Sequence, residues 1–332
     1  MNPKLPPPVT RREILSARGP KETIDPQKTI AQWDEFEIAS PSLIVPTRVL
    51  LLAGSECRFT CTMCDLWRHT LDQATSPGDL IRQLDHSILK PWQLPLPVNA
   101  EIPISPQRWI KLYNSSNFFD PYNVPTADII PIASRLDDFE RVIVENHPRL
   151  TSDSIVEFST ALNGKLEIAM GLETSNPEML RWLNKSMTLN DFQNATRQLQ
   201  HWSIDIRVFL LLGLPGTTYL ESLQFCLAAI EFATDCGVRH CSIIPTRTDH
   251  GPLKRLSGEH SVPTITAHYL EDALATMVEK STAIITVDLW NWEALPGHCS
   301  VCRLARRERL EKMCILQREI PLEKFACNCI GH

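Results

Sequence analysis

An α/β protein built around a mostly parallel sheet is what this sequence predicts. Short apolar runs recur along the chain, helical patterns fill the intervals, and turn residues mark the changes between them. The alternation spans residues 47–290. Residues 1–46 read as a proline-rich N-terminal extension lying over the core, and residues 291–332 as a cysteine-rich C-terminal tail.

The extension carries Pro3, Pro6, Pro7, Pro8, Pro20, Pro26, Pro41 and Pro46 among charged residues, with one short helix expected around Ile30–Glu37. The first strand is Arg48–Ala53, ending at Gly54. Further strands are expected at Trp109–Tyr113, Val142–Glu145, Leu166–Leu172, Ile206–Leu212, Val238–Ile244 and Ala283–Leu289. Their apolar runs read as unbroken rather than alternating, which predicts strands covered on both faces. Helices are expected at Asp79–Leu89, Ala127–Phe139, Asp153–Leu162, Asn176–Leu183, Asn190–Trp202, Tyr219–Phe232 and Ala267–Lys280. Thr188 and Asp191 have the spacing of a capping box, and Phe192, Ala195 and Leu199 then share one face. Six or seven such units form either an open barrel or a doubly wound sheet, and periodicity does not separate the two.

Composition narrows the function. Hydrophobic residues make up 43% and charged residues 22% of 332, which excludes a disordered chain. A net charge of −6 gives no global attraction to nucleic acid, although a local basic patch remains open. The apolar run Val208–Leu214 is too short to cross a bilayer, and Met1–Pro8 lacks the core of a signal peptide. The expectation is a soluble cytoplasmic protein with no membrane partner.

Eleven cysteines in a chain of this length point to metal-binding or catalytic thiols in a reducing compartment. Cys226, Cys236, Cys241 and Cys314 are scattered and read as small buried hydrophobes. Cys57, Cys61 and Cys64 lie together on the loop after the first strand, where parallel α/β proteins place functional groups. Three thiolates on one centre leave a coordination position open for substrate or cofactor. On the residues alone, a zinc site completed by His69 and a chance grouping remain alternatives.

Cys57-x3-Cys61-x2-Cys64 resembles the signature of radical S-adenosylmethionine (SAM) enzymes. That resemblance implies a partial (β/α)6 barrel whose three cysteines hold a [4Fe–4S] cluster. SAM then chelates the fourth iron and is cleaved to methionine and a 5′-deoxyadenosyl radical that abstracts a hydrogen atom. It also implies an electron donor such as a flavodoxin or ferredoxin. Met63 stands where the family commonly has an aromatic residue, and its thioether would pack on adenine.

Further positions follow the strands. Asn114 and Ser115 occupy the place of a glycine-rich turn that binds the SAM amino group, with an ordinary polar turn as the alternative. Glu145 ends an apolar strand and should face a polar cavity, because burying a carboxylate unpaired is costly. His147 reads as a loop residue. Gly171-Leu-Glu173-Thr-Ser175, followed by Leu183-Asn-Lys185, resembles radical SAM enzymes related to the Elongator catalytic subunit and the tRNA methylthiotransferases. The resemblance puts Glu173 and Ser175 near SAM's ribose or methionine, and Lys185 reads as a solvated turn residue. The Gly213-Leu-Pro-Gly216 turn would lie beside adenine; it lacks the lysine of a nucleotide-triphosphate loop. Arg247 reads either as a contact for an anionic substrate group or as a surface residue.

Taken together, Lys111–Asp120, Val142–Pro148, Leu166–Lys185 and Cys241–Arg247 most resemble the radical SAM subunit of archaeosine synthase and its bacterial relatives. This implies cleavage of a lysine adduct on a 7-deazaguanine base in tRNA, with a transglycosylase-like subunit as partner. A small-molecule substrate and a zinc-stabilised, non-catalytic binding protein are the other readings. In the tail, Cys299, Cys302, Cys327 and Cys329 supply four soft ligands for zinc or a second iron–sulfur cluster, with His298 and His332 as spare candidates. The basic stretch Arg303–Lys312 between them reads as a helix with a solvated face.

Overall fold

Strand order decides between the two sheet architectures. The computed structural model describes residues 9–247, 252–253, 262–322, 326–327 and 329; of the residues named above, Met1, Pro3, Pro6, Pro7, Pro8 and His332 lie outside that set. One sheet holds β1 (Ala31–Ser40), β2 (Leu43–Leu51), β3 (Trp109–Tyr113), β4 (Arg141–Glu145), β5 (Lys165–Glu173), β6 (Asp205–Leu212), β7 (His240–Pro245) and β8 (Ile284–Val287). They neighbour one another in that order. The β1–β2 pair is antiparallel and each later pair is parallel. A doubly wound sheet would reverse its strand order at a switch point, and this sheet does not. Instead it curls, bringing Arg207 on β6 within 2.8 Å of Glu37 on β1. Among the described residues β1 and β8 do not pair, so the barrel is partial and has a seam.

Helices cover the outside: α1 (Arg11–Ala17), α2 (Asp79–Ile88), α3 (Ile129–Ala133), α4 (Asp153–Ala161), α5 (Pro177–Trp182), α6 (Leu189–His201), α7 (Tyr219–Asp235), α8 (Ala267–Lys280) and α9 (Arg303–Leu316). The Thr188–Asp191 capping box opens α6 as expected, and Thr218 with Glu221 opens α7 the same way. Cys226, Cys241 and Cys314 are buried in the main core, and Cys236 packs against it.

Two expected helices differ. Ile30–Glu37 is not a helix but most of β1, paired with β2 so that Trp33, Glu35 and Glu37 share one face. Two of those side chains are carboxylates that meet Lys111 and Arg207, an attraction that local periodicity does not record. Residues 31–40 and 43–46 of the segment read as an extension therefore belong to strands. The helix expected over Ala127–Phe139 is a 3-10 turn, Thr126–Asp128, followed by α3 alone. Asp137 and Asp138 would lie in its last turn, where negative charge opposes the helix dipole.

The strands are covered on both faces, but the faces differ in kind. Ile110, Leu112, Val142, Val144, Ile168, Val208 and Leu210 point outward into the helix-covered core. Each contributes about 1.5–3 kcal/mol by leaving water. The alternate positions point into the barrel and include Lys111, Glu167, Arg207 and His240, all buried. Glu167 accepts from Arg141 at 2.7 Å, from Arg207 at 2.8 Å and from Arg239 at 2.7 Å. Glu37 is shared by Arg207 and Lys111. Burial opposes ionisation of both carboxyls, but the adjacent cations outweigh it and hold both well below the carboxylate range.

The seam is covered by α9, which packs on α8, β8 and β1. The Ser42 N–H, in the β1–β2 turn, donates to the Ile315 carbonyl at 2.9 Å. Gln317, the C-cap of α9, donates through Nε2 to the Ile285 carbonyl and accepts at Oε1 from the Ile285 N–H, both at 2.8 Å. One side-chain amide thus satisfies both backbone groups of an edge residue on β8.

Removing the charge at the centre of the barrel tests this account. Glu167→Gln leaves three guanidinium groups short of an anion and should cost about 3–5 kcal/mol of unfolding free energy. Exposed Glu157→Gln should stay within about 0.5 kcal/mol of the parent in the same urea titrations.

Candidate functional site

The loop after β2 carries the three cysteines and is fastened from several sides. Asn123 donates through Nδ2 to the Ser55 carbonyl at 2.8 Å and to the Glu56 carbonyl at 3.2 Å. The Thr62 N–H donates to the Leu183 carbonyl at 2.9 Å, and Asn184 Nδ2 to the Thr60 carbonyl at 2.7 Å. Phe59 stacks on His147 with ring centroids 3.7 Å apart. His147 is buried: its Nε2 meets the Lys185 carbonyl at 3.0 Å, its Nδ1 accepts from the Arg149 N–H, and burial lowers its pKa to about 3. This loop histidine is therefore a neutral strut beneath the cysteine loop.

The three thiols of this loop differ in exposure. Cys61 is buried, and Cys57 and Cys64 are partly so. Burial pushes Cys61 up to about 11 and raises Cys57 and Cys64, with mutual repulsion between the sulfurs adding to the shift at Cys61 and Cys64. Against this, Asn117 Nδ2 lies 3.1 Å from Cys57 Sγ, and the Lys185 charge lowers both Cys57 and Cys61. His69 Nδ1 pairs with Glu22 at 3.1 Å. Among the described residues, the one His/Cys/Asp/Glu group with ligand atoms all within 4.8 Å of one another does not include these three cysteines. A single tetrahedral zinc holds its sulfurs about 3.8 Å apart.

Polar atoms without partners border this loop. Both amide atoms of Asn114, the hydroxyls of Ser115 and Ser116, and Glu145 Oε2 are shut from solvent and make no hydrogen bond. Asn114 and Ser115 follow β3, and Glu145 ends β4. Nearly all buried polar atoms in proteins are paired, so a concentration of orphans marks a place for a polar ligand. Burial raises the Glu145 carboxyl to about 7.

At the end of β5, Glu173 is buried with its Oε1 2.7 Å from Lys185 Nζ. Lys185 is thus not solvated: it is 7% exposed, and its cation faces both Glu173 and the thiols. A methyl group on Gly171 would strike both Glu173 Oε1 and Lys185 Nζ, which accounts for glycine there. Ser175 lies in the partly exposed turn before α5. After β6, Gly213 has φ 103° and Gly216 φ 71°, and the Ser222 hydroxyl accepts from the Gly213 N–H at 2.6 Å. Met63 packs on the apolar cluster containing Leu211 and Leu214, so it meets this turn. Arg247 is held by Asp288 at 3.0 Å and by the Trp290 carbonyl, beside a cavity of about 280 Å³ at the ends of β7 and β8.

Asn117, Asn184 and Lys185 escaped the sequence reading as site residues. The signal for the last two was their place just after the Gly171–Ser175 element, where the chain returns to the cysteine loop. The tail cysteines form the second thiol group: Cys299, Cys302, Cys327 and Cys329 have their sulfurs all within 4.8 Å, a set able to bind a metal. His298 is not spare in the way expected, since its Nε2 meets the Trp292 carbonyl at 2.9 Å.

Neither a family model nor a curated protein matches this sequence. Solved structures do. Methylornithine synthase (PylB) superposes with a TM-score of 0.53 at 12% identity, covering 85% of this chain and 74% of that one. SuiB of Streptococcus suis, solved with its precursor peptide SuiA, gives 0.50 at 10% identity, covering 75% and 49%. The fold is the partial barrel that these two structures share. The chain spans about half the length of SuiB. Escherichia coli coproporphyrinogen III oxidase (HemN), described as a radical SAM enzyme, aligns over 52% of this chain with a TM-score of 0.39 and 17% identity. At these identities the likeness is one of fold.

Two measurements probe the site. Gly171→Ala should unseat the Glu173–Lys185 pair and lower stability by about 1–3 kcal/mol. Gly19→Ala, with nothing within 4 Å of the added carbon, serves as the control in thermal melts. Glu145 binds its proton more tightly folded, near 7, than at its ordinary 4.5. The stability linked to that proton is complete below 4.5 and disappears as pH rises through 7. Glu145→Gln should flatten that fall in urea titrations across pH 4–8.

Proposed function

We propose that this protein is a radical SAM enzyme in which Cys57, Cys61 and Cys64 hold a [4Fe–4S] cluster and SAM occupies the open position. One observation carries the reading: a set of buried, partnerless polar atoms borders a three-thiol loop at the C-terminal rim of a parallel barrel. When bound, the cluster and SAM supply reductive cleavage and a carbon radical able to take a hydrogen atom from substrate.

The chain's own residues divide the remaining work. Asn114, Ser115, Ser116 and Glu145 offer donors and acceptors to the polar end of SAM. Glu173 keeps one oxygen on Lys185 and offers the other to a ribose hydroxyl, which is charge-assisted hydrogen bonding. Met63, Leu211 and Leu214 provide an apolar wall beside the Gly213–Gly216 turn for adenine. Asn117 and Lys185 steady the thiolates, by an N–H donor and by charge respectively. The cavity at the ends of β7 and β8 lies on the same rim and is the space assigned to substrate. For its identity we favour a 7-deazaguanine-type base in tRNA, on the likeness of the Leu166–Lys185 and Val142–Pro148 segments to the archaeosine enzymes. Titration of unmodified and lysine-adduct tRNA at several salt concentrations examines this; a steep salt dependence is expected for RNA.

Anaerobically purified protein, once reduced, should convert SAM to 5′-deoxyadenosine. Replacing Cys57, Cys61 and Cys64 together by alanine should abolish that product in chromatographic assays. Survival of cleavage in the triple variant would falsify the reading.

A further inference from the structure

We propose that Cys299, Cys302, Cys327 and Cys329 bind one tetrahedral zinc ion, and that this ion staples in place the helix that seals the barrel seam. The inference is independent of the radical reading, because none of these cysteines belongs to the loop after β2.

Sulfur spacing argues for a single ion. All four sulfurs lie within 4.8 Å of one another, and Cys299 Sγ is 4.0 Å from Cys302 Sγ. A zinc ion with bonds of about 2.3 Å sets its four thiolates about 3.8 Å apart, so small adjustments complete the tetrahedron. A cluster with several irons spreads its cysteines over different metal atoms and needs a wider cage. The first pair is already shaped for an ion. The Cys299 N–H faces Cys302 Sγ at 3.5 Å. Binding releases the thiol protons to solvent and leaves no electron to be supplied.

Position assigns the role. Cys302 is the N-cap of α9, and the other pair returns from beyond the far end of that helix. Closing the site therefore ties both ends of the α9 region together. The tie is continuous with buried ionic contacts. Arg306 donates through one guanidinium nitrogen to Glu271 on α8 at 2.6 Å and through another to the Cys329 carbonyl at 3.1 Å. Arg309 meets Glu271 at 3.1 Å and the Ile320 carbonyl at 2.6 Å. Arg306 and Glu271 are both fully buried, and a buried pair holds only while its geometry is kept. The opposite end of α9 carries the Ser42–Ile315 and Gln317–Ile285 bonds that bridge β1 to β8. The ion, the Arg306–Glu271 pair and the seam thus form one chain of contacts.

The test uses the full chain and does not require SAM cleavage. Elemental analysis should find about one zinc per chain, retained when Cys57, Cys61 and Cys64 are all replaced by alanine. Zinc should be lost in the Cys302→Ser, Cys327→Ser double variant. In that variant, hydrogen exchange should speed up in β1, β8 and α9 and stay unchanged in β3–β5. If the double variant does not fold, a mercurial titration of the Cys57/Cys61/Cys64 triple-alanine variant serves instead, one zinc being released as the tail thiols react, with the same exchange pattern. The proposal is overturned by zinc that survives loss of the tail cysteines, by an iron–sulfur chromophore in the Cys57/Cys61/Cys64 triple variant, or by zinc loss that leaves seam exchange unaltered.

Discussion

Charge inside a barrel is tolerable only when every ion has a neighbour, and that requirement governs much of this molecule. Glu167 sits among Arg141, Arg207 and Arg239, while Glu37 joins Arg207 and Lys111. These partners come from β1, β3, β4, β5, β6 and the approach to β7, so they meet only if the sheet curls. Apolar packing outside the strands drives the collapse of helices onto the sheet. Paired charge inside selects the curled form over a flat one, because a flat sheet would strand guanidinium and carboxylate groups apart in a water-poor layer.

The same logic of enforced pairing, left unfinished, distinguishes the rim. Below it each carboxylate meets cations, although Arg207 Nη2, Arg239 Nε and His240 Nδ1 make no hydrogen bond. Beside the cysteine loop Asn114, Ser115, Ser116 and Glu145 keep polar atoms with no partner, and no opposite charge pairs with them among the described residues. The loop itself is held by Asn123, Leu183, Asn184 and the Phe59–His147 stack. A firmly held loop against unsatisfied dipoles is an arrangement prepared for a guest, since preorganised groups need little rearrangement on binding.

Most strands and helices were legible in the sequence because apolar spacing and caps are local signals. The Thr188–Asp191 box and the strand at Trp109–Tyr113 fall where read. What escaped was long-range. Ile30–Glu37 contains carboxylates whose purpose is set by Lys111 and Arg207, far along the chain, so a local reading placed a helix there. Lys185 looked like a surface lysine because its partner, Glu173, meets it only after a turn folds back over Gly171. The three-thiol loop was readable from spacing and its place after a strand. Its supports, contributed by the β3, β4 and β5 crossovers, were not.

Gln317 has a consequence beyond the packing of α9. An unpaired strand border is a template on which a neighbouring polypeptide can add its own backbone, the route to intermolecular association. Here a lone carboxamide fills the docking position at Ile285, imitating a peptide group without offering a further one. The border is thereby blunted by a side chain rather than by another strand, and self-assembly along β8 is denied its first contact.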